Sequence, residues 1–254
     1  MNELALFAGA GGGLLASQLL GWNTVCAVEI GEYPREVLLR RQEEGFLDKF
    51  PIWDDVCTFD GTPWNGKIDV ISGGFPCQDI SAAGKGAGIA GDRSGLWNEY
   101  ARIIGEVGPS FVFAENSPLL RTRGLGVVVK DLTGLGYDVR WGVLGAWHLG
   151  ATHKRDRMWV LALNTNMRDA TREEQSFRAW KNLFTEEWQT KENEQERYGW
   201  LSKLEPVDGF SRCNTYDGIV RALHGVADRV DRQKAIANGQ VPRVAATAWN
   251  VLMQ

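Results

Sequence analysis

The stretch GGFPCQDIS, residues 73–81, places a cysteine where a reactive group could meet a ligand. Cys77 follows a short apolar segment typical of a β-strand, and Pro76 stiffens the backbone just before it. A thiol at the end of a strand lies on the rim of a sheet, where ligands bind. A lone cysteine is more often a small buried hydrophobe than a nucleophile, so the interpretation depends on the surrounding residues.

Three further segments carry groups that would assist a nucleophilic cysteine. Residues 78–95 have the Gly, Ala and Ser content of a mobile flap. The segment FVFAENS delivers Glu115 to a strand end, where burial would keep a carboxyl group protonated for use as an acid. In HKRDR, Arg155 and Arg157 occupy alternate positions entering a strand, so both would face an anionic substrate. As alternatives, Glu115 could cap a turn and the arginines could form surface ion pairs.

A glycine-rich loop, LFAGAGGG at residues 6–13, lies between an apolar run and a helical leucine pattern. Such a turn lets a ligand approach the backbone closely, and the following helix N-terminus favours an anion. Phe7 and Glu29 suit an adenosine, because an aromatic face can hold the base and a carboxylate can accept two ribose hydroxyls. Glu29 lies about 20 residues past the loop, as in nucleotide-binding βαβ units. A turn that serves only tight packing is the alternative.

The composition is that of a globular enzyme: 254 residues with a net charge of −4. This length fits one large domain with a modest insertion. The charge gives no support to a non-specific nucleic-acid binder. No secretory signal or membrane-length apolar run is visible, so we expect a cytoplasmic protein. The cysteines show no metal-ligand spacing, which predicts four free thiols and no metal site; they are Cys26, Cys57, Cys77 and Cys213.

Apolar runs alternate with helical patterns along most of the chain, which predicts an α/β fold with a doubly wound sheet. Ligands are expected at the carboxyl ends of its strands. From residue 164 the composition becomes polar and the strand signal is lost, which indicates an insertion. The terminal helix, entered through Pro242, should return to the α/β domain. Predicted strands cover residues 4–7, 24–30, 68–72, 111–115, 137–144 and 157–163, and predicted helices 14–20, 97–107, 119–134 and 241–252.

In this order the motifs resemble those of the cytosine-C5 DNA methyltransferase family. The resemblance covers residues 4–163 and 206–254, and the combination of Pro-Cys-Gln with Glu-Asn is highly specific. It departs from the family pattern at Ala5, Ser117, His153 and Ala237. The matching segments are LFAGAGGG for the cofactor loop, AVEI for the ribose acid, DDV for the adenine-contacting acid, GGFPCQDIS for the nucleophile, DRSGLWNEYARI for the helix after the mobile loop, FAENS for the Glu-Asn pair, HKRDRMWVLA for the paired arginines and IANGQVP for the last motif.

The resemblance implies S-adenosylmethionine as the cofactor, S-adenosylhomocysteine as its product, and no metal. It gives catalytic roles to Cys77, Glu115, Arg155 and Arg157, and substrate or loop roles to Gln78, Ser81, Arg93 and Asn116. The implied cofactor contacts are Phe7, Ala8, Gly9, Gly11, Gly12, Glu29, Ile30, Asp55, Val56, Pro76, Leu96, Asn238 and Gly239.

The same resemblance implies a Rossmann-like S-adenosylmethionine-dependent methyltransferase fold. Residues 1–163 and 234–254 would form the catalytic domain, and residues 164–233 a small target recognition domain similar to those of compact phage and prophage enzymes. Cys77 would attack C6 of a cytosine that has swung out of double-stranded DNA, while Glu115 protonates N3. The setting would be the cytoplasm of a bacterium or phage-infected host, away from any membrane, with a cognate restriction enzyme as a candidate partner.

Three other functions stay open at the level of sequence. Methylation of RNA cytosine needs the same catalytic residues, and the short recognition segment leaves room for another substrate. A dinucleotide-dependent oxidoreductase is supported only by the glycine turn and Glu29, and it leaves the Pro-Cys-Gln and Glu-Asn motifs unexplained. An intact catalytic set argues against a non-catalytic DNA-binding relic, but the small recognition segment keeps this alternative open.

Overall fold

A computed structural model describes residues 1–76, 95–151, 153–165 and 238–253. The described residues all belong to one structural unit, which joins the N-terminal part of the chain to its last residues. The predicted recognition domain lies almost wholly outside the described residues, so that division of the chain stays a prediction.

Seven strands form one sheet in the order β3-β2-β1-β4-β5-β7-β6. The five strands from β1 to β5 are parallel, and β7 runs antiparallel to both of its neighbours. From β1 the chain adds β2 and β3 on one side and then β4 and β5 on the other, so the strand order reverses between β1 and β4. Open α/β sheets bind ligands at such a switch point. The strands are β1 Asn2–Leu6, β2 Asn23–Val28, β3 Ile52–Trp53, β4 Val70–Gly74, β5 Phe111–Asn116, β6 Tyr137–Gly145 and β7 Asp156–Asn164.

Helices cover both faces of the sheet, which confirms the predicted doubly wound α/β class. The predicted helix at 119–134 is divided into two, because Gly124 adopts an extended backbone that ends the first segment. Short 3-10 turns lie at Thr62–Trp64 and Ala146–Leu149. The α-helices of the described residues are α1 Gly12–Leu19, α2 Glu32–Glu43, α3 Gly95–Val107, α4 Leu120–Arg123, α5 Leu125–Gly134 and α6 Pro242–Leu252.

Alternate side chains of the strands divide the core between the two faces. On one face Leu4 and Leu6 pack with the buried side chains of α3 and α5. On the other, aromatic rings join α6 to the sheet, with the Trp249 ring centroid 4.6 Å from Trp22 and 5.4 Å from Phe113. The end of the chain therefore packs back on the α/β domain, as predicted.

A buried carboxylate ties α1 to the sheet close to the glycine loop. The hydroxyls of Ser17 on α1 and Thr24 on β2 each donate to Glu3 at 2.6 Å, and Ser72 on β4 donates as well. Burial raises the pKa of Glu3 despite these hydrogen bonds. Because the three donors come from different elements, they fix α1 relative to β1 and β4.

Candidate active site

The glycine loop turns sharply between β1 and α1. Phe7, the first residue after β1, has a φ of 53°, which is uncommon for a bulky side chain. Gly9 and Gly11 also have positive φ, at 55° and 91°, where glycine is tolerated without steric cost. The Ala8 amide donates to the Val28 carbonyl oxygen at 3.1 Å and so anchors the turn to β2. Backbone held in such a sparsely populated region is a common feature of ligand sites.

Glu29 is held by backbone amides on both of its oxygens. The Gly9 amide donates to Oε2 at 2.7 Å, and the Gly31 amide donates to Oε1 at 2.8 Å. An ionised carboxylate has about four lone-pair sites, so each oxygen can accept a further hydrogen bond. The arrangement fits the predicted ribose acid, since the carboxylate is already oriented beside the loop.

Ile30, a predicted cofactor contact, and the predicted adenine-contacting segment 54–56 lie just after β2 and β3. The Ile30 side chain is 70% exposed, so its apolar surface is available to contact a base. Asp55 accepts a hydrogen bond from the Cys57 amide at 2.9 Å, and Val56 is buried. Arg102 on α3 donates to the Val56 carbonyl oxygen at 3.0 Å and thereby holds this loop against α3.

A pocket opens at the carboxyl ends of β1 and β4, where the ligand was predicted. Of the predicted site residues, it brings together parts of the glycine loop, Glu115 and the segment 238–239; the described residues that border it are Ala5, Leu6, Phe7, Ala8, Gly9, Gly13, Leu14, Ser72, Gly73, Gly74, Glu115, Asn238, Gly239 and Gln240. The predicted contacts Gly11, Gly12, Glu29, Ile30, Asp55, Val56, Pro76 and Leu96 are not among these bordering residues.

Two glycines make this pocket possible because they let backbones approach closely. A Cβ on Gly73 would collide with the Leu6 carbonyl oxygen, and Gly73 has a φ of 150°. A Cβ on Gly12 would collide with the Gln240 carbonyl oxygen. The pocket is therefore a cradle of backbone atoms beside the N-terminus of α1, which fits the carboxylate and amine of an amino-acid-like group.

Glu115 lies near the end of β5 and is only 7% exposed. Arg157 Nε donates to Glu115 Oε1 at 2.7 Å. Burial nevertheless raises the pKa of Glu115 to about 7, against the opposing effects of Arg157, Arg155 and a hydrogen bond from Gln240. A carboxyl group with this pKa can hold a proton near neutral pH and release it, as a general acid must.

Arg155 and Arg157 do not share the strand-like alternation that the sequence predicted. The strand begins at Asp156, and Arg155 has a φ of 36°, so the two arginines do not project from alternate positions of one strand. Arg155 Nη2 donates instead to the Gly239 carbonyl oxygen, while Arg157 reaches Glu115. Burial, followed by the nearby Arg157, lowers the pKa of Arg155. Both guanidinium groups still lower the pKa of Glu115, although the two arginines have different backbone conformations.

Asn116 connects the end of β5 to the segment that leads into the predicted nucleophile. Its Nδ2 donates to the Phe75 carbonyl oxygen at 3.1 Å, next to the half-buried Pro76. The predicted site residues Cys77, Gln78, Ser81 and Arg93 lie outside the described residues, and their roles stay predictions.

Comparison with known proteins decides the family. The model of the family described as C-5 cytosine-specific DNA methylase matches residues 1–224. The chain belongs to this family. Within this family, the chain is 37% identical over 164 residues to the type II methyltransferase M.CviJI of Paramecium bursaria Chlorella virus IL3A. The alignment covers 64% of this chain and 43% of that protein. It is 34% identical over 171 residues to M.Eco47II of Escherichia coli, covering 65% and 40%. The chain thus spans less than half the length of these relatives.

A solved structure supports the same fold. The chain aligns with a DNA modification methyltransferase encoded within an E. coli prophage at a TM-score of 0.52 and 24% identity, covering 66% of this chain and 48% of that one. The family match ends at residue 224, so the assignment of Asn238 and Gly239 to the site depends on the IANGQVP motif and on the pocket geometry.

Several pocket residues were missed by the sequence interpretation. Gln240, Ser72, Gly73 and Gly74 border the pocket, although two of them lie within the GGFPCQDIS motif and Gln240 lies within IANGQVP. Membership of these motifs was the only signal for Gly73, Gly74 and Gln240, whereas Ser72 is the last residue of the predicted strand 68–72. Among the described residues, no cluster of three or more metal-ligating side chains occurs, and no helix is long and apolar enough to cross a bilayer.

Proposed function

We propose that this chain is a DNA (cytosine-5-)-methyltransferase that acts on double-stranded DNA. The observation that carries the proposal is the buried Glu115, paired with Arg157 and bordering the same pocket as the glycine loop. In a member of the C-5 cytosine-specific DNA methylase family, a buried carboxyl group at this position would serve as a proton donor beside the cofactor. Family membership also favours this function over the oxidoreductase alternative.

The residues present fit S-adenosylmethionine. Glu29 would accept hydrogen bonds from the ribose, Phe7 and Ile30 would contact the adenine, and the backbone cradle with Asn238 would hold the amino-acid end. When bound, this cofactor supplies an electrophilic methyl group on a sulfonium.

The chain's own residues would make cytosine C5 reactive. C5 is a weak nucleophile because its electrons are delocalised over the ring. The Cys77 thiolate would add to C6, forming a sulfur–carbon bond, while Glu115 transfers its proton to N3. The electron pair displaced from the C5–C6 bond then forms an enamine whose nucleophilic atom is C5. After methylation, a base would remove the C5 proton while the sulfur–C6 bond breaks to release the thiolate, and N3 would return its proton to Glu115, which restores both the aromatic ring and the acid.

The two arginines and the flap would hold the base during these steps. Arg157 orients Glu115 and could reach the base, while Arg155 would contact the base or the adjacent phosphate. Because C6 cannot be reached inside a duplex, the cytosine must leave the stack, at a cost of a few kcal/mol. Residues 78–95 would close over it, and residues 164–233 would read the surrounding sequence. If a cognate restriction enzyme is present, the methylation would protect the DNA from cleavage by that enzyme.

The direct test incubates the protein with methyl-labelled S-adenosylmethionine and unmethylated genomic DNA, followed by sequencing for 5-methylcytosine. We expect label at cytosine C5 within one sequence context, lost in Cys77→Ala and kept in Cys57→Ala. Cys57 is exposed and lies outside the GGFPCQDIS motif, and alanine keeps the backbone amide that donates to Asp55. Label on adenine N6 or cytosine N4, or transfer to tRNA instead of duplex DNA, would contradict the proposal.

A further inference from the structure

Gln240 lies between the glycine loop and the predicted proton donor. It borders the same pocket as Glu115, and its side chain hydrogen-bonds the Glu115 carboxyl group. Gln240 Nε2 and Glu115 Oε2 both lie beside Gly74, whereas Arg157 occupies Glu115 Oε1. Gln240 therefore lies on the side of Oε2, and Arg157 lies on the side of Oε1.

The glycine loop fixes Gln240 in turn. The Gln240 carbonyl oxygen packs so closely against Gly12 that no side chain could replace the hydrogen on the Gly12 Cα atom. Gln240 Oε1 packs against Gly13, at 2.9 Å from where a Cβ would lie. With the amide oxygen on the side of the loop, the amide nitrogen faces the carboxyl group, and nitrogen is the end that can donate.

We propose that Gln240 is a positioning residue for Glu115, which holds the plane of the carboxyl group that protonates the cytosine. The inference rests on the proposed function, because that function makes Glu115 the proton donor. Rotation of the carboxyl group would break the hydrogen bond to Arg157 or the one to Gln240, and proton transfer needs a fixed donor direction. One side chain thus joins the cofactor loop to the acid.

Replacement of Gln240 should change the titration of Glu115 in a known direction. A donor to the ionised carboxylate lowers its pKa, so Gln240→Leu should raise the pKa of Glu115, by about one pH unit for a hydrogen bond to a charged group. Gln240→Glu would place a second carboxyl group there and raise the titration midpoint further, since two carboxylates resist ionising together.

The test follows the glutamate side-chain carboxyl carbons by NMR across pH in protein labelled with ¹³C, with the Glu115 signal identified by its loss in Glu115→Gln. The midpoint should rise from wild type to Gln240→Leu to Gln240→Glu. Gln42→Leu is the matched control, because the Gln42 amide donates to the Phe50 carbonyl oxygen at 3.0 Å from α2. An unchanged midpoint in Gln240→Leu, or an equal change in Gln42→Leu, would overturn the inference.

Steady-state kinetics separates this role from cofactor binding. Gln240→Leu should lower kcat about tenfold and leave the KM for S-adenosylmethionine within about threefold, as expected when only a transition-state contact is lost. A raised KM with unchanged kcat would mean that Gln240 holds the cofactor instead. The NMR titration needs no turnover. An inactive wild-type protein would therefore refute the proposed function, while the titration would still show whether Gln240 contacts Glu115.

Discussion

Glu115 is placed to change its protonation state near neutral pH, because burial raises its pKa to about 7. As a proton donor it acts in its protonated form, which predominates below that pKa. We expect kcat/KM to fall about tenfold for each pH unit above about 7, because kcat/KM reports the ionisation of the free enzyme. Glu115→Gln should lower kcat/KM by about 10²-fold or more and abolish this alkaline decline, whereas Glu36→Gln, at an exposed position of α2, should leave both unchanged.

Tyr100 offers a second test at the scale of a residue. Its hydroxyl is buried and has no hydrogen-bond partner among the described residues, and burial raises its pKa. Because an unsatisfied polar group costs free energy, Tyr100→Phe should leave the free energy of unfolding unchanged or raise it by about 1 kcal/mol.

Tyr137 is the control for Tyr100, because its buried hydroxyl does have a hydrogen-bond partner. Its hydroxyl donates to the Pro109 carbonyl oxygen at 2.8 Å, so Tyr137→Phe should lower the free energy of unfolding by about 1 kcal/mol. Urea denaturation measures both variants. A loss of stability in Tyr100→Phe equal to that in Tyr137→Phe would show that the Tyr100 hydroxyl has a partner.

At the scale of elements, the approach of the segment 238–240 to α1 depends on Gly12. A methyl group there collides with the Gln240 carbonyl oxygen, so Gly12→Ala should separate the two segments and weaken S-adenosylmethionine binding by at least about tenfold, measured by calorimetry. Gly126→Ala on α5 is the control, because open space surrounds that position and alanine favours a helix. Unchanged binding in Gly12→Ala would remove this segment from the cofactor site.

Sequence periodicity located most elements of the sheet well. The predicted strands corresponding to β1, β2, β4, β5, β6 and β7 end within two residues of the observed ones. For β1, β2, β4 and β5 the reason is that buried parallel strands are nearly continuous apolar runs. The two-residue β3 is too short to produce such a run. The antiparallel direction of β7 was also not predicted, because an apolar run carries no information about the direction of its strand.

The candidate site could be predicted in part for a related reason. Motif residues such as Glu29 and Glu115 occupy strand ends, so their placement follows from the alternation of elements. The backbone of Arg155 could not be predicted, because its hydrogen bond to Gly239 joins residues distant in sequence. The same holds for Gln240, whose role depends on meeting Gly12 and Glu115 in space.

At the scale of the whole molecule, the C-terminal helix completes the core of the described unit. Trp249 is 6% exposed and packs on Trp22, Phe111 and Phe113. Trp249→Ala should therefore lower the free energy of unfolding by about 3–5 kcal/mol in urea denaturation. Trp141→Ala, at a position that is 47% exposed, should cost much less. Equal losses would show that α6 contributes little to the core.

The central claim is that Cys77 forms a bond to the cytosine ring, and 5-fluorocytosine tests it most directly. Fluorine cannot leave C5 as a proton does, so the adduct cannot break down after methylation. DNA containing 5-fluorocytosine, incubated with the protein and S-adenosylmethionine, should give a complex that survives denaturing electrophoresis, is absent for Cys77→Ser and persists for Cys57→Ser. If wild-type protein methylates ordinary DNA yet never becomes cross-linked to the fluorinated substrate, the covalent mechanism is wrong.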